Sequence, residues 1–176
     1  MMATREEMFP PRDFEEDLKN SESPEVYALV MPAIRHWWPE VTAWGRELEM
    51  KAQRKGRDIT LENAPRLQVK SRWTDFDDFL IEYKHVFHDG RVRPGWIEEY
   101  SPDELDVILY VQIPLRKVSR VELASLKEAW AVHKNEWMNG FSSPNPDYDT
   151  HFCCIGWNVL AAAGVEVEHL EIPAPN

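Results

Sequence analysis

Apolar positions along the chain change period twice, and those changes lay out the expected elements. From Ser23 the spacing is helical: Ser23 is a good cap for free backbone N–H groups, Pro24 suits the first helical position, and the run should continue to about Trp38. Pro39 then starts or kinks a second helical segment in which Val41, Trp44, Leu48 and Ala52 share a face, with Glu47 and Glu49 on its flanks. After Gly56 the period drops to two through "DITL", "RLQVKSR" and "DFLIEYKHVF", which predicts three strands in an antiparallel meander.

The remaining text continues the alternation of elements. A loop, "HDGRVRPGW", and a cap-like "SPDE" lead to "LDVILYVQI", apolar on both faces and so expected as a covered central strand, followed by a short strand at "RKVSR". Ser119 with Glu122 resembles a capping box, and Leu123, Leu126, Trp130, His133 and Trp137 line one face of a helix that should cover the sheet. A loose loop, "NGFSSPNPDYD", precedes "THFCCI", a small-residue segment "WNVLAAAG", and "VEVEHLEI", whose alternation predicts an exposed edge strand. The acidic, Pro-broken residues 1–22 read as an arm and 23–176 as one domain, a reasonable size for burying a core without staples.

Composition narrows the classes. The chain is 43% hydrophobic and has no apolar run near the roughly 20 residues of a membrane span, so a cytoplasmic protein with no membrane partner is expected. Its only cysteines, Cys153 and Cys154, are adjacent in an apolar run and read as reduced core thiols. No phosphate-binding glycine loop, serine-hydrolase elbow, dinucleotide fingerprint or His-rich metal spacing occurs.

The net charge of −11 argues against a broad electrostatic grip on nucleic acid, but the charge is uneven. Residues 46–72 carry eight bases and four acids, whereas 1–45 carry four and nine, and 73–176 carry eight and eighteen. Positive charge therefore gathers around "GRDITLENAPRLQVKSRW".

Within that stretch the pleat puts Arg66, Gln68, Lys70 and Arg72 on one face. If "DITL" pairs back through the "ENAP" turn, Asp58 returns to the level of Gln68 and Lys70. A carboxylate and an amide oxygen suit Mg²⁺ or Mn²⁺, which prefers oxygen ligands and keeps several waters, and Lys70 could stabilise charge on a phosphate. Asp58 and Gln68 are thus the candidate metal ligands.

Glu82, sharing a strand face with Leu80 and Lys84, is a further candidate on the assumption that its strand lies beside the Gln-x-Lys strand. Arg66, Arg72 and Trp73 are candidate substrate contacts, Trp96 a second aromatic one, and His85 and His88 lie nearby in sequence. A rival pattern is Glu82-x-Lys84 with Asp75 or Asp77 upstream, although five residues leave no room for a strand, a turn and a return strand. The plain alternative throughout is a solvated surface hairpin.

The acid followed by Gln-x-Lys, in this order of elements, resembles the PD-(D/E)xK nuclease superfamily. The wider text "QRKGRDITL…LQVKSRW…DFLIEYKHV…PGWIE…ELDVILYV" is similar to phage and prophage members of it, over roughly residues 40–137. The resemblance implies a restriction-endonuclease-like α+β (α/β/α) fold with a mixed central sheet, and a Mg²⁺- or Mn²⁺-dependent DNA nuclease acting in a host cytoplasm. It also implies an extra acid from the preceding helix, Glu49 or else Glu47. The departure is Gln68, which stands where most of the superfamily has Asp or Glu, although the Mrr-type restriction branch uses Gln-x-Lys. That neutral amide and the charge of −11 leave a second expectation: a degenerate member that binds a host nucleic-acid enzyme. A homodimer is compatible with either.

Overall fold

A computed structural model describes residues 23–41, 44–46, 59–61, 65–87, 89–140, 142–143 and 150–175. The arm 1–22, Asp58, Glu47, Glu49, His88 and most of the "NGFSSPNPDYD" loop lie outside the described residues. The fold is α+β; the described residues form a mixed sheet, a second smaller sheet and four helices.

Helix α1 spans Pro24–Trp37, and Ser23 caps it as expected, its hydroxyl accepting from the Val26 N–H at 3.3 Å. Val26, Leu29, Val30, Ala33 and Ile34, at helical spacing, form its buried stripe. The strands are β1 Trp44–Arg46, β2 Ile59–Leu61, β3 Leu67–Arg72, β4 Asp78–Val86 and β5 Val92–Pro94. After the short helix α2, Trp96–Glu99, come β6 Val107–Gln112, β7 Lys117–Glu122 and helix α3 Leu123–Gly140. The chain closes with β8 Ser142–Ser143, β9 Thr150–Gly156, helix α4 Trp157–Ala162 and β10 Val167–Glu171.

The larger sheet has the order β1-β2-β3-β6-β7-β10, and the smaller β5-β4-β9-β8. Among the described residues only β3 and β6 run parallel, Leu67 opposite Val107 through Arg72 opposite Gln112; the other pairings are antiparallel. Because successive side chains alternate faces, the larger sheet feeds two cores. Leu67, Val69, Val107, Leu109, Val111 and Val118 pack on α1. Ile108, Tyr110 and Val121 meet Phe79, Ile81, Cys153 and Ile155 of the smaller sheet, together with Leu126, Trp130 and Trp137 of α3. Every residue of β6 is buried, as its apolar text requires of a central strand.

Five expectations need correction. Residues 44–46 are strand, not helix: Gly45 weakens a helix by roughly 1 kcal/mol, and the segment instead pairs with β2, Trp44 opposite Leu61. The meander stops after two strands. β2 pairs with β3 as predicted, Ile59 opposite Leu67, but β6 takes the other edge of β3, and β4 leaves for the smaller sheet. Physically, β6 is apolar on both faces and must lie inside a sheet, whereas β4 buries Phe79 and Ile81 while Leu80 and Glu82, which alternate with them, stay half-buried.

Ser119 is no helix cap. It lies in mid-β7 between Tyr110 and His169, fully buried, and α3 begins only at Leu123. Trp96 is no surface contact either, being 4% exposed within the core, and His133 is half-exposed and stacked on Trp137 at 5.5 Å. Leu123, Leu126, Trp130 and Trp137 are buried as their spacing predicts, both cysteines are free, and β10 is an outer strand. No helix among the described residues is long and apolar enough to cross a membrane.

Candidate functional site

Strand β3 carries Gln68, Lys70 and Arg72 at alternate positions, on the side of the larger sheet that faces the smaller one. Gln68 is 6% exposed, and its amide Nε2 donates to the Val69 carbonyl at 3.1 Å. The Lys70 ammonium lies 5.7 Å from the Trp96 ring centre and 5.4 Å from that of Tyr100, a cation held over two aromatic faces. Trp96 reaches this position because Gly95 allows the chain to pass against the β4 backbone. A Cβ there would lie 2.2 Å from the Glu82 carbonyl oxygen.

The two arginines of the same stretch are held internally. Arg66 forks onto Asp106, Nε to Oδ2 at 2.9 Å and Nη2 to Oδ1 at 2.7 Å, and also donates to the Pro102 and Asp103 carbonyls. That fork ties the entry of β3 to the entry of β6. Arg72, its side chain 10% exposed, pairs with Asp78 at 2.8 Å, donates to the Cys154 sulfur at 3.8 Å and lies 5.6 Å from the Phe76 ring centre. Burial, with the Asp78 carboxylate close by, pushes the Cys154 thiol up, so it stays protonated at neutral pH.

Beyond Arg72, at the carboxyl ends of the parallel pair, a polar cluster forms that sequence reading missed. Asp77 accepts from Lys117 at 2.6 Å, from Trp157 Nε1 at 2.9 Å and from Gln112 Nε2 at 3.4 Å. The Lys117 hydrogen bond is the main cause of an Asp77 carboxyl held below its ordinary range. His169 stacks edge-on to Trp157 at 4.7 Å, and its Nδ1 lies 2.8 Å from the Ser119 hydroxyl. Five separate segments supply these groups, so no spacing in the text announces them.

His169 gives the cluster a pH dependence. Burial, then the positive charge of Lys117, sets its pKa below the ordinary 6.5, with Asp77 opposing. The unfolded chain therefore binds this proton more readily than the folded one. Its stabilisation is complete above about pH 6.5 and is lost as pH falls through the lowered folded value. The Asp77 contribution is lost only at more acidic pH, below the ordinary 3.8. A His169→Gln variant should show a urea midpoint that changes less than wild type's as pH falls below about 6.5; parallel curves would remove His169 from the account.

Sequence-predicted residues are thus only partly united. Gln68, Lys70 and Arg72 share one face of β3. Glu82 does not lie on a neighbouring strand, because β4 pairs with β5 and β9. Asp77 directly precedes β4, so five extended residues, about 16 Å, separate it from Glu82, and the rival Glu82-x-Lys84 pattern cannot form a hairpin site. Trp73 is 47% exposed just after β3. Among the described residues no three His, Cys, Asp or Glu side chains converge as a metal site requires. One amide oxygen from Gln68 does not hold a divalent ion alone, so a metal site on β3 would need carboxylates from outside the described residues, for which the sequence offers Asp58 and Glu49 or Glu47.

Comparison with protein-family models, with curated proteins and with solved structures finds no match for this chain. The fold and the chemistry of β3 are therefore the ground for a functional reading.

Proposed function

We propose that this protein is a metal-dependent nuclease that hydrolyses DNA phosphodiester bonds on a restriction-endonuclease-like core, of phage or prophage type. The observation that carries the reading is the placement of β3. It lies inside a mixed sheet, antiparallel to β2 and parallel to β6, with Ile59 opposite Leu67 and with Gln68 and Lys70 next along the strand. Asp58 is the sequence neighbour of Ile59.

In this reading Asp58 and Gln68 would hold Mg²⁺ or Mn²⁺, with Glu49 or else Glu47 assisting, and the ion would supply an activated water and charge neutralisation. Lys70 sits over Trp96 and Tyr100 and presents its ammonium toward the scissile phosphate. Trp73, exposed beyond the strand, meets the substrate. Arg66 and Arg72 act from behind, because Asp106 and Asp78 already hold them.

Those two ion pairs, with the charge of −11, also favour the second reading: a protein that kept the fold, lost the chemistry and binds a host nucleic-acid enzyme. Labelled single-stranded, duplex and branched DNA, incubated with Mg²⁺ or Mn²⁺, separates the two. Wild type should cut at least one form, and Asp58→Ala should lower the rate by more than about a hundredfold, the consequence of losing several kcal/mol of metal assistance. No cutting of any form, or cutting indifferent to Asp58→Ala, would reject the nuclease.

A further inference from the structure

The β4–β5 hairpin departs from the character of the rest of the molecule. In a chain where acids outnumber bases 31 to 20, the segment from Lys84 to Arg93 carries three bases, Lys84, Arg91 and Arg93, against one acid, Asp89. Its strands pair Lys84 opposite Pro94, His85 opposite Arg93 and Val86 opposite Val92; β9 holds the other edge of β4 at Lys84 and His85, and the Val86–Val92 end with its turn extends beyond that edge. The Phe87 N–H closes the turn on the Arg91 carbonyl at 2.9 Å, and Gly90 takes the left-handed φ of 81° that the turn demands. Two of the large hydrophobic residues left exposed are on it, Phe87 at 42% and Val92 at 62%.

Its arginines are the solvent-exposed ones. Arg91 pairs with Asp89 at 2.6 Å and lies 5.3 Å from the Phe87 ring centre, with 77% of its side chain exposed; Arg93 forks onto Glu99, Nε to Oε1 at 2.7 Å and Nη2 to Oε2 at 3.3 Å, with 60% exposed. At that exposure solvent screens both pairs, and a phosphate offers either guanidinium the same bidentate acceptor geometry as the carboxylate it would replace. Arg66 and Arg72, by contrast, are locked into the scaffold.

The base of the ribbon is fixed beside the candidate site. Pro94 leads through Gly95, wedged against the Glu82 carbonyl, directly to Trp96, whose ring lies 5.7 Å from the Lys70 ammonium. Arg93 is three residues from Trp96, at most about 10 Å of chain.

We propose that this hairpin is the duplex-DNA grip of the protein. The tip of the hairpin enters the major groove, whose width of about 12 Å admits two strands; Val92 rests against the groove floor, and Arg91 and Arg93, on the opposite face with Phe87, exchange Asp89 and Glu99 for backbone phosphates. This assignment rests on the nuclease reading for its substrate class, and it explains how an acidic protein holds a polyanion: by one protruding basic element.

The test is fluorescence anisotropy of a labelled 25-base-pair duplex and the matching single strand, titrated with protein in EDTA at several salt concentrations. The variants are the double substitution Arg91→Gln with Arg93→Gln and a control, Arg35→Gln with Lys134→Gln, which removes the same charge from exposed positions on α1 and α3. The hairpin variant should bind duplex at least tenfold more weakly, and its log-affinity against log-salt slope should fall by about 2, with the Tm unchanged and the control like wild type. A hairpin variant that binds duplex as wild type does, a control that loses as much, or a preference for the single strand overturns the grip. Cleavage that persists alongside such a result leaves the nuclease standing. Wild type that binds no DNA overturns the grip, and hairpin-dependent binding without cleavage supports the grip while rejecting the nuclease.

Discussion

A Gly95→Ala variant is expected to lose about 3 kcal/mol of stability, at the upper end of what overpacking costs. The added methyl would lie 2.2 Å from the Glu82 carbonyl oxygen and 2.5 Å from the Tyr83 nitrogen, and both are backbone atoms of a paired strand. They cannot swing aside as a side-chain tip does. Relief would have to come from moving α2, whose Trp96 and Ile97 are 4% and 0% exposed in the core. For a chain of this size the loss is a fall in Tm of roughly 6–12 °C, with a matching drop in urea midpoint. A Tm within about 2 °C of wild type would show that the close approach is not a constraint.

Lys70→Met should leave a folded protein with cleavage reduced at least about a hundredfold, the scale of removing one preorganised electrostatic partner from a transition state. Methionine keeps the stem between Trp96 and Tyr100 and removes the charge; the lost cation–π contact costs on the order of 1 kcal/mol. Lys70→Arg is the sharper comparison, since it restores charge with different geometry and should recover only part of the rate. Unchanged cleavage in Lys70→Met would place the ammonium among scaffold contacts and return the choice to the binding-protein reading. Lys70→Met beside Gly95→Ala separates chemistry from packing, because the first should cut the rate with a Tm change of only about 2–4 °C and the second should lower the Tm by more.

The legible parts of the sequence were those where one local rule acted alone. Ser23 and Pro24 set the start of α1, the doubly apolar text of β6 forecast its burial, and the face of Leu123, Leu126, Trp130 and Trp137 was readable from spacing. Partners were not legible. β3 exposes two edges and its own residues do not say which strand takes each, so the adjacent β4 was the natural choice, whereas β6, 40 residues on, is the actual neighbour. Position 44 shows the same limit: Val41, Trp44 and Leu48 fit a helix, yet an open β2 edge makes residues 44–46 a strand. At the candidate site, Gln68, Lys70 and Arg72 were found because one pleat joins them. Asp77, Lys117, Trp157 and His169 were not, because tertiary contact alone assembles them.

The pairing of β4 with β9 also dictates an order of events during synthesis. Phe79 finds Ile155 across the ladder, 76 residues later. At roughly 5–20 residues per second, β4 therefore waits about 4–15 s after leaving the ribosome before the strand that covers it exists. Throughout that interval Phe79 and Ile81 are apolar side chains without their β9 partner, and the hairpin to β5 is the only pairing β4 has within the smaller sheet. The nascent chain is thus most vulnerable to capture by chaperones or by other nascent chains while α3 is still being made, and a truncation before Thr150 should be a substrate for them rather than a smaller version of this fold.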